Sequence, residues 1–147
     1  MDWKTLLFTF DGRINRGKYW LGVLFIVLLY IAAAIVFSIL YAAAGETAGM
    51  VVGGVVAFAA FVAAIWMTFG IVIKRLHDRE KPGWWSLVFI VLPSVLSGAG
   101  TALGGIGAVL SLASLAISIW ALVELGCLKG TTGPNKYGPD PLPAEAD

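Results

Sequence analysis

Apolar residues run along this chain in blocks that are long, uncharged and separated by short polar segments. The first block, Tyr19 to Ala44, carries no charge. At about 1.5 Å per helical residue it reaches roughly 39 Å, more than the hydrocarbon core of about 30 Å, so it tilts or protrudes. The second, Met50 to Ile73, fits one span, and Gly45 to Gly49 with Glu46 is the connection between them. From Trp84 to Val123 no charge occurs. That is about 40 residues, enough for two spans of roughly 20. The break falls where Ser97, Gly98, Gly100, Thr101, Gly104 and Gly105 cluster. The pattern therefore predicts an all-α integral membrane protein, one membrane domain over 1–147, with four transmembrane helices at about 19–44, 50–73, 84–100 and 105–127. Pro93 predicts a kink in the third. A pair of re-entrant half-helices is the alternative for the last two.

The flanks differ. In residues 1–18, Trp3, Leu6, Leu7 and Phe10 follow helical spacing, which predicts a short N-terminal interfacial helix with Asp2 as N-cap. The tail, 128–147, holds Pro134, Pro139, Pro141 and Pro143 with Gly133 and Gly138, so it is predicted to be irregular. Ala42-Ala43-Ala44 resembles a signal-peptidase site, but the apolar run before it far exceeds the usual 7–15 residues, which reads as a retained span.

Composition agrees: 59% of residues are hydrophobic and 13% charged, against about 45–50% and about 25% in soluble domains. Charge placement then gives orientation. All 10 Lys and Arg residues fall in 1–18, 74–83 or the tail, on one side of a four-span topology. The positive-inside rule puts both termini and the middle loop in the cytoplasm, and with a single span after Trp84 the tail lysines would be stranded outside. Trp20, Trp84 and Trp85 sit near the predicted cytoplasmic ends as headgroup-level anchors, whereas Trp66 and Trp120 lie deeper.

Little chemistry is legible. A net charge of +1 points away from nucleic acid. One cysteine, Cys127, allows no intrachain disulfide, and one histidine falls short of the three or four N/S ligands a zinc site takes, so no metal is expected. No nucleophile with a base and no phosphate loop is present, so no cofactor is implied and an enzyme acting through His77 and Asp78 ranks last. The small-residue stripes Gly53-Ala57-Ala60-Ala64-Thr68 and Gly107-Ser111-Ser114-Ser118-Ala121 read as helix contacts, with a solute pathway as the alternative. Glu124 is the only acid inside an apolar block and so a candidate site, with Lys74, Arg75 or His77 as its expected partner.

Three motifs carry a resemblance. They are Phe10-Asp11-Gly12-Arg13-Ile14-Asn15-Arg16-Gly17-Lys18-Tyr19-Trp20; Lys74-Arg75-Leu76-His77-Asp78 with Pro82-Gly83-Trp84-Trp85; and Gly133-Pro134-Asn135-Lys136-Tyr137-Gly138-Pro139-Asp140-Pro141. In this order they resemble the bacterial inner-membrane family catalogued as domain of unknown function 805, over nearly the whole chain. Lys74 stands where that family usually has Arg, and Arg79-Glu80 depart from its usual small residue and Gly. The resemblance implies location and topology and supplies no catalytic role. All three motifs lie in the predicted cytoplasmic segments. Arg13, Arg16, Arg75, His77, Asp78, Glu124, Asn135 and Tyr137 are thus expected to meet in one polar cap, with Arg75 or Arg16 pairing Asp78 or Glu124 and the tail folded over the loop. The function expected is a binding or scaffold module. Its partners would be the lipid bilayer and, at the cap, an anionic lipid or another membrane protein, with a homo-oligomer open. A small transporter or channel subunit using Glu124 is the alternative.

Overall fold

The computed structural model describes residues 3–142. The expected N-cap Asp2 and the tail's Pro143 lie outside them. The described residues form helices and no strand: α1, Trp3–Phe8; α2, Arg16–Asp78; α3, Leu87–Ala102; and α4, Gly107–Cys127, with irregular segments between and after them. Two of these, α2 and α4, are long and apolar enough to cross a membrane, while α3 is apolar but shorter. The residues up to Thr9 pack with Trp20–Gly70 as one compact unit, and Phe10–Tyr19 pack with the residues from Ile71 onward as another.

In the first unit the chain reverses at one residue. Helix α2 is 63 residues long, but Gly45 sits at φ 77° and ψ 175°, non-helical values that only glycine adopts without strain. The predicted connection over Gly45 to Gly49 therefore contracts to Gly45, and the helix resumes at once. The two arms run antiparallel: a Cβ on Gly49 would strike the Tyr41 backbone, and one on Gly53 would lie 2.8 Å from the Phe37 ring. Both pairs are symmetrical about residue 45, so small residues set how closely the arms approach. Helix α1 docks on this hairpin through Leu6 and Leu7, both buried, with the carbonyl of Leu7 close to Gly70. The expected face of Trp3, Leu6, Leu7 and Phe10 is cut short, because α1 ends at Phe8 and Phe10 belongs to the other unit.

The second unit contains α3 and α4, again an antiparallel pair. A Cβ on Gly107 would overlap the Gly100 carbonyl, and Ser114 Oγ donates to the Pro93 carbonyl at 2.8 Å. Farther from the turn, Phe89 and Trp120 meet edge-on at 5.0 Å. Pro93 has no N–H to give, and the turn before it, Leu87–Val91, widens to π geometry. The last turn of α4, Leu122–Cys127, is also a π turn.

The distribution of polarity is inverted. Val55, Phe58 and Leu112 are each about two-thirds exposed, while Lys74 and Arg75 are completely buried and head the largest fully buried side chains. Water would penalise that arrangement. Lipid favours it, since the hydrocarbon solvates the apolar exterior and the polar groups must satisfy one another inside.

Candidate functional site: a charged cap

The polar residues of the second unit are assembled by three segments that need one another. The approach to α2, residues 10–15, is irregular. Asn15 ends it as N-cap, at φ −75° and ψ 172°, with its side-chain oxygen accepting from the Lys18 N–H at 2.9 Å. The end of α2 supplies Lys74 to Asp78. The tail after α4 turns tightly at Asn135–Gly138, which exchange two backbone hydrogen bonds of 3.0 Å, and Asn135 Oδ1 accepts from the Tyr137 N–H.

Asp78 stands where these segments converge. Its carboxylate is buried and held from both sides: Arg13 reaches Oδ1, at 3.0 Å from Nη2 and 3.2 Å from Nε, and Arg75 Nη1 pairs with Oδ2. Its carbonyl accepts from the Thr131 N–H at 2.8 Å. Arg13 spends its remaining donors on the tail, reaching the carbonyls of Thr131 at 2.6 Å, Gly133 at 2.7 Å and Gly138 at 3.3 Å. Only a planar guanidinium serves one carboxylate and three carbonyls together. Gly130 passes so close that a Cβ would lie on the Asp78 carboxylate.

The other arginines close the end of α4. A helix C-terminus leaves carbonyls without partners and carries partial negative charge. Arg75 donates to the Leu125 carbonyl at 2.7 Å and also to that of Leu128. Arg16 donates to Cys127 O at 2.9 Å and Arg79 to Lys129 O. Glu124 takes partners other than those expected. Its carboxylate meets Arg79 Nε at 3.0 Å and Lys81 Nζ at 3.6 Å, in place of Lys74, Arg75 or His77. The π turn that carries Glu124 and the loop beyond α2 make that pairing, and neither is visible in residue spacing.

His77 does not face Asp78. Its ring stacks on Tyr137 at 3.9 Å with 6° between planes, and Nδ1 donates to the Gly12 carbonyl at 3.2 Å. Its carbonyl accepts from Asn135 Nδ2 at 3.0 Å. With the Asp78 oxygens committed to arginines, the two adjacent residues form no acid–base dyad. Among the described residues no group of His, Cys, Asp and Glu has the makings of a metal site.

The structure thus brings Arg13, Arg75, His77, Asp78, Asn135 and Tyr137 into one hydrogen-bonded assembly, with Arg16 and Glu124 bonded to its edge at α4. Sequence reasoning missed Thr131, whose hydroxyl bonds Arg13, Asn135 and the Asp78 carbonyl; a lone Thr gives no signal. It also gave no role to Asp140, although Asp140 lies in the third motif. Backbone N–H groups of Leu142 and Gly133 hold that carboxyl below the usual carboxylate range, so it is ionised at neutral pH. A cleft of about 480 Å³ opens beside the cap, lined by Asn15, Arg16, Arg75, Asp78, Lys129 to Thr132 and Asp140 to Leu142. Arg16 and Lys129 are exposed there.

Residues 7–139 match the family described as protein of unknown function (DUF805). The chain is 34% identical over 136 residues to the uncharacterized protein YiiR of Escherichia coli K12, covering 91% of this chain and 86% of that one. It is 24% identical over 147 residues to the inner membrane protein YhaH of the same organism, covering 96% and 97%. To the inner membrane protein YhaI it is 26% identical over 135 residues, covering 90% and 85%. No solved structure matches.

Arg13→Ala leaves Asp78 with one of its two side-chain partners and frees three tail carbonyls. A broken buried pair costs about 3–5 kcal/mol, and the tail bears the loss. Hydrogen exchange should show the amides of Thr131 and Gly138 losing protection. Arg13→Lys should not restore it, because an ammonium lacks the fork. Unchanged tail protection in Arg13→Ala would mean that Arg13 does not hold the tail.

Proposed function

For this membrane protein, which belongs to the DUF805 family, we propose a binding role: a membrane-embedded module whose cap takes the headgroup of an anionic or phosphate-bearing lipid. The observation that carries it is the cleft beside the cap, where Arg16 and Lys129 are exposed. Its volume lies within the roughly 300–1,000 Å³ of small-molecule sites. Arg16 opens α2 and Lys129 follows the end of α4, so both stand at ends of apolar helices, where phosphates of a bilayer lie. The one-sided basic residues support four spans in the inner membrane, with both termini and the cleft cytoplasmic. The pairing of Glu124 with Arg79 and Lys81 supports a structural role for that carboxylate over a place on a transport path.

Two experiments test this. In a Cys127→Ser background, Glu46→Cys should react with an impermeant maleimide in cells whose outer membrane alone is permeabilised. Lys136→Cys should react only after the inner membrane is opened. The reverse pattern refutes the orientation. For binding, phospholipid retained through detergent purification should fall roughly ten- to thirtyfold in the Arg16→Gln, Lys129→Gln double variant, taking about 1 kcal/mol per basic residue. Lys4→Gln, a basic residue outside the cleft, is the control and should retain lipid. Equal retention in all three proteins would defeat the lipid reading.

A further inference from the structure

Resting on the lipid reading above, we propose that the cleft prefers a zwitterionic headgroup, a phosphate ester bearing a primary amine, with the phosphate on Arg16 and Lys129 and the ammonium at Asp140. Several of the charges in the cleft are already committed. Arg75 and Asp78 line it, and the side chains of Arg75 and Arg13 are both committed to the Asp78 carboxylate. Arg16 has one nitrogen on the Cys127 carbonyl, and among the described residues the rest of its fork has no partner. Lys129 is exposed, and among the described residues only its carbonyl is engaged, by Arg79. Thr132, also exposed, lines the same cleft.

Asp140 is the remaining charge, and it has the opposite sign. Among the described residues no Lys or Arg lies within ion-pair distance of it, and Arg13 acts on it only from farther away. Each carboxylate oxygen accepts one backbone N–H, Oδ2 from Gly133 at 2.7 Å and Oδ1 from Leu142 at 3.0 Å. A carboxylate oxygen has a second lone pair, so both retain acceptor capacity. These bonds fix the carboxylate at the cleft and keep it ionised.

A purely anionic headgroup would set its charge against this fixed carboxylate. A headgroup carrying both signs meets two cationic side chains and one anionic one in the same cleft. The chemistry is that of a phosphoethanolamine, whether presented by a membrane lipid or as a free solute.

The test uses the full-length protein, delipidated in detergent and offered equal amounts of phosphatidylethanolamine and phosphatidylglycerol, with bound lipid read by native mass spectrometry. The wild type should favour phosphatidylethanolamine by about two- to fivefold, the range that an exposed ion pair supplies. Asp140→Asn should bring the ratio close to one while total bound phospholipid persists, and Asp140→Glu should keep the preference. A wild-type ratio near one, a preference for phosphatidylglycerol, or a ratio unmoved by Asp140→Asn overturns the proposal, and a parallel fall of both lipids at unchanged ratio does so too. These outcomes leave the wider lipid reading standing, whereas failure of the wild type to bind either lipid sinks both. In a separate arm, calorimetry with soluble phosphoethanolamine identifies the source. Binding as tight as the lipid's supports recognition of the free solute, and weaker binding supports a lipid headgroup.

Discussion

A buried carboxylate must be paired or it will not stay charged, and the cap is organised around that requirement at Asp78. The residue ends α2, so the helix fixes its position. Its two oxygens then demand donors, and the donors come from different stretches of chain. Arg75 is one turn back on the same helix and reaches Oδ2. Arg13 arrives from the segment before α2 and reaches Oδ1. Neither arginine is exhausted by the carboxylate. Arg75 continues to the end of α4 and Arg13 to the tail, so one negative charge ties down segments far apart in the chain.

The inverted polarity gives this arrangement its weight. In a soluble protein a hydrophobic core would hold these segments together and an ion pair would add little. Here the apolar side chains face outward, and lipid is as apolar as they are, so little drives helices together except close packing and polar contacts. Small residues supply the first, as Gly107 against Gly100 shows. The arginines supply the second, and they do it at the point of greatest need. The final carbonyls of α4 have no helical partner, and the guanidiniums of Arg75 and Arg16 fill that role at Leu125 and Cys127, while Arg75 and Arg79 bind the carbonyls of Leu128 and Lys129 just beyond.

How much of this was legible in the sequence depended on range. Long uncharged blocks announced helices and a membrane, because hydrocarbon places a length requirement on the chain that composition alone reveals. Pro93 announced a disturbance in α3. Local spacing could not show that the reversal after the first arm needs only Gly45, since that depends on one left-handed residue and on Gly49 and Gly53 allowing the arms to approach. The cap was partly legible as charge in the Arg13, Arg75–Asp78 and Asn135–Tyr137 motifs. The partner of Glu124 was not, because it depends on how a π turn in α4 faces a loop some forty residues earlier. Thr131 was invisible for the same reason: its hydroxyl matters only where the tail crosses Asp78.

The claim that most else depends on is that the Asp78 charge joins the entry segment to the tail. Asp78→Asn keeps the shape and removes the charge, and hydrogen exchange on that variant reads both ends of the link. The Ile14 amide, bonded to the Lys74 carbonyl, reports the entry segment, and the Thr131 amide, bonded to the Asp78 carbonyl, reports the tail. The account predicts that both lose protection together. Loss at one with full protection at the other, or at neither, would contradict it.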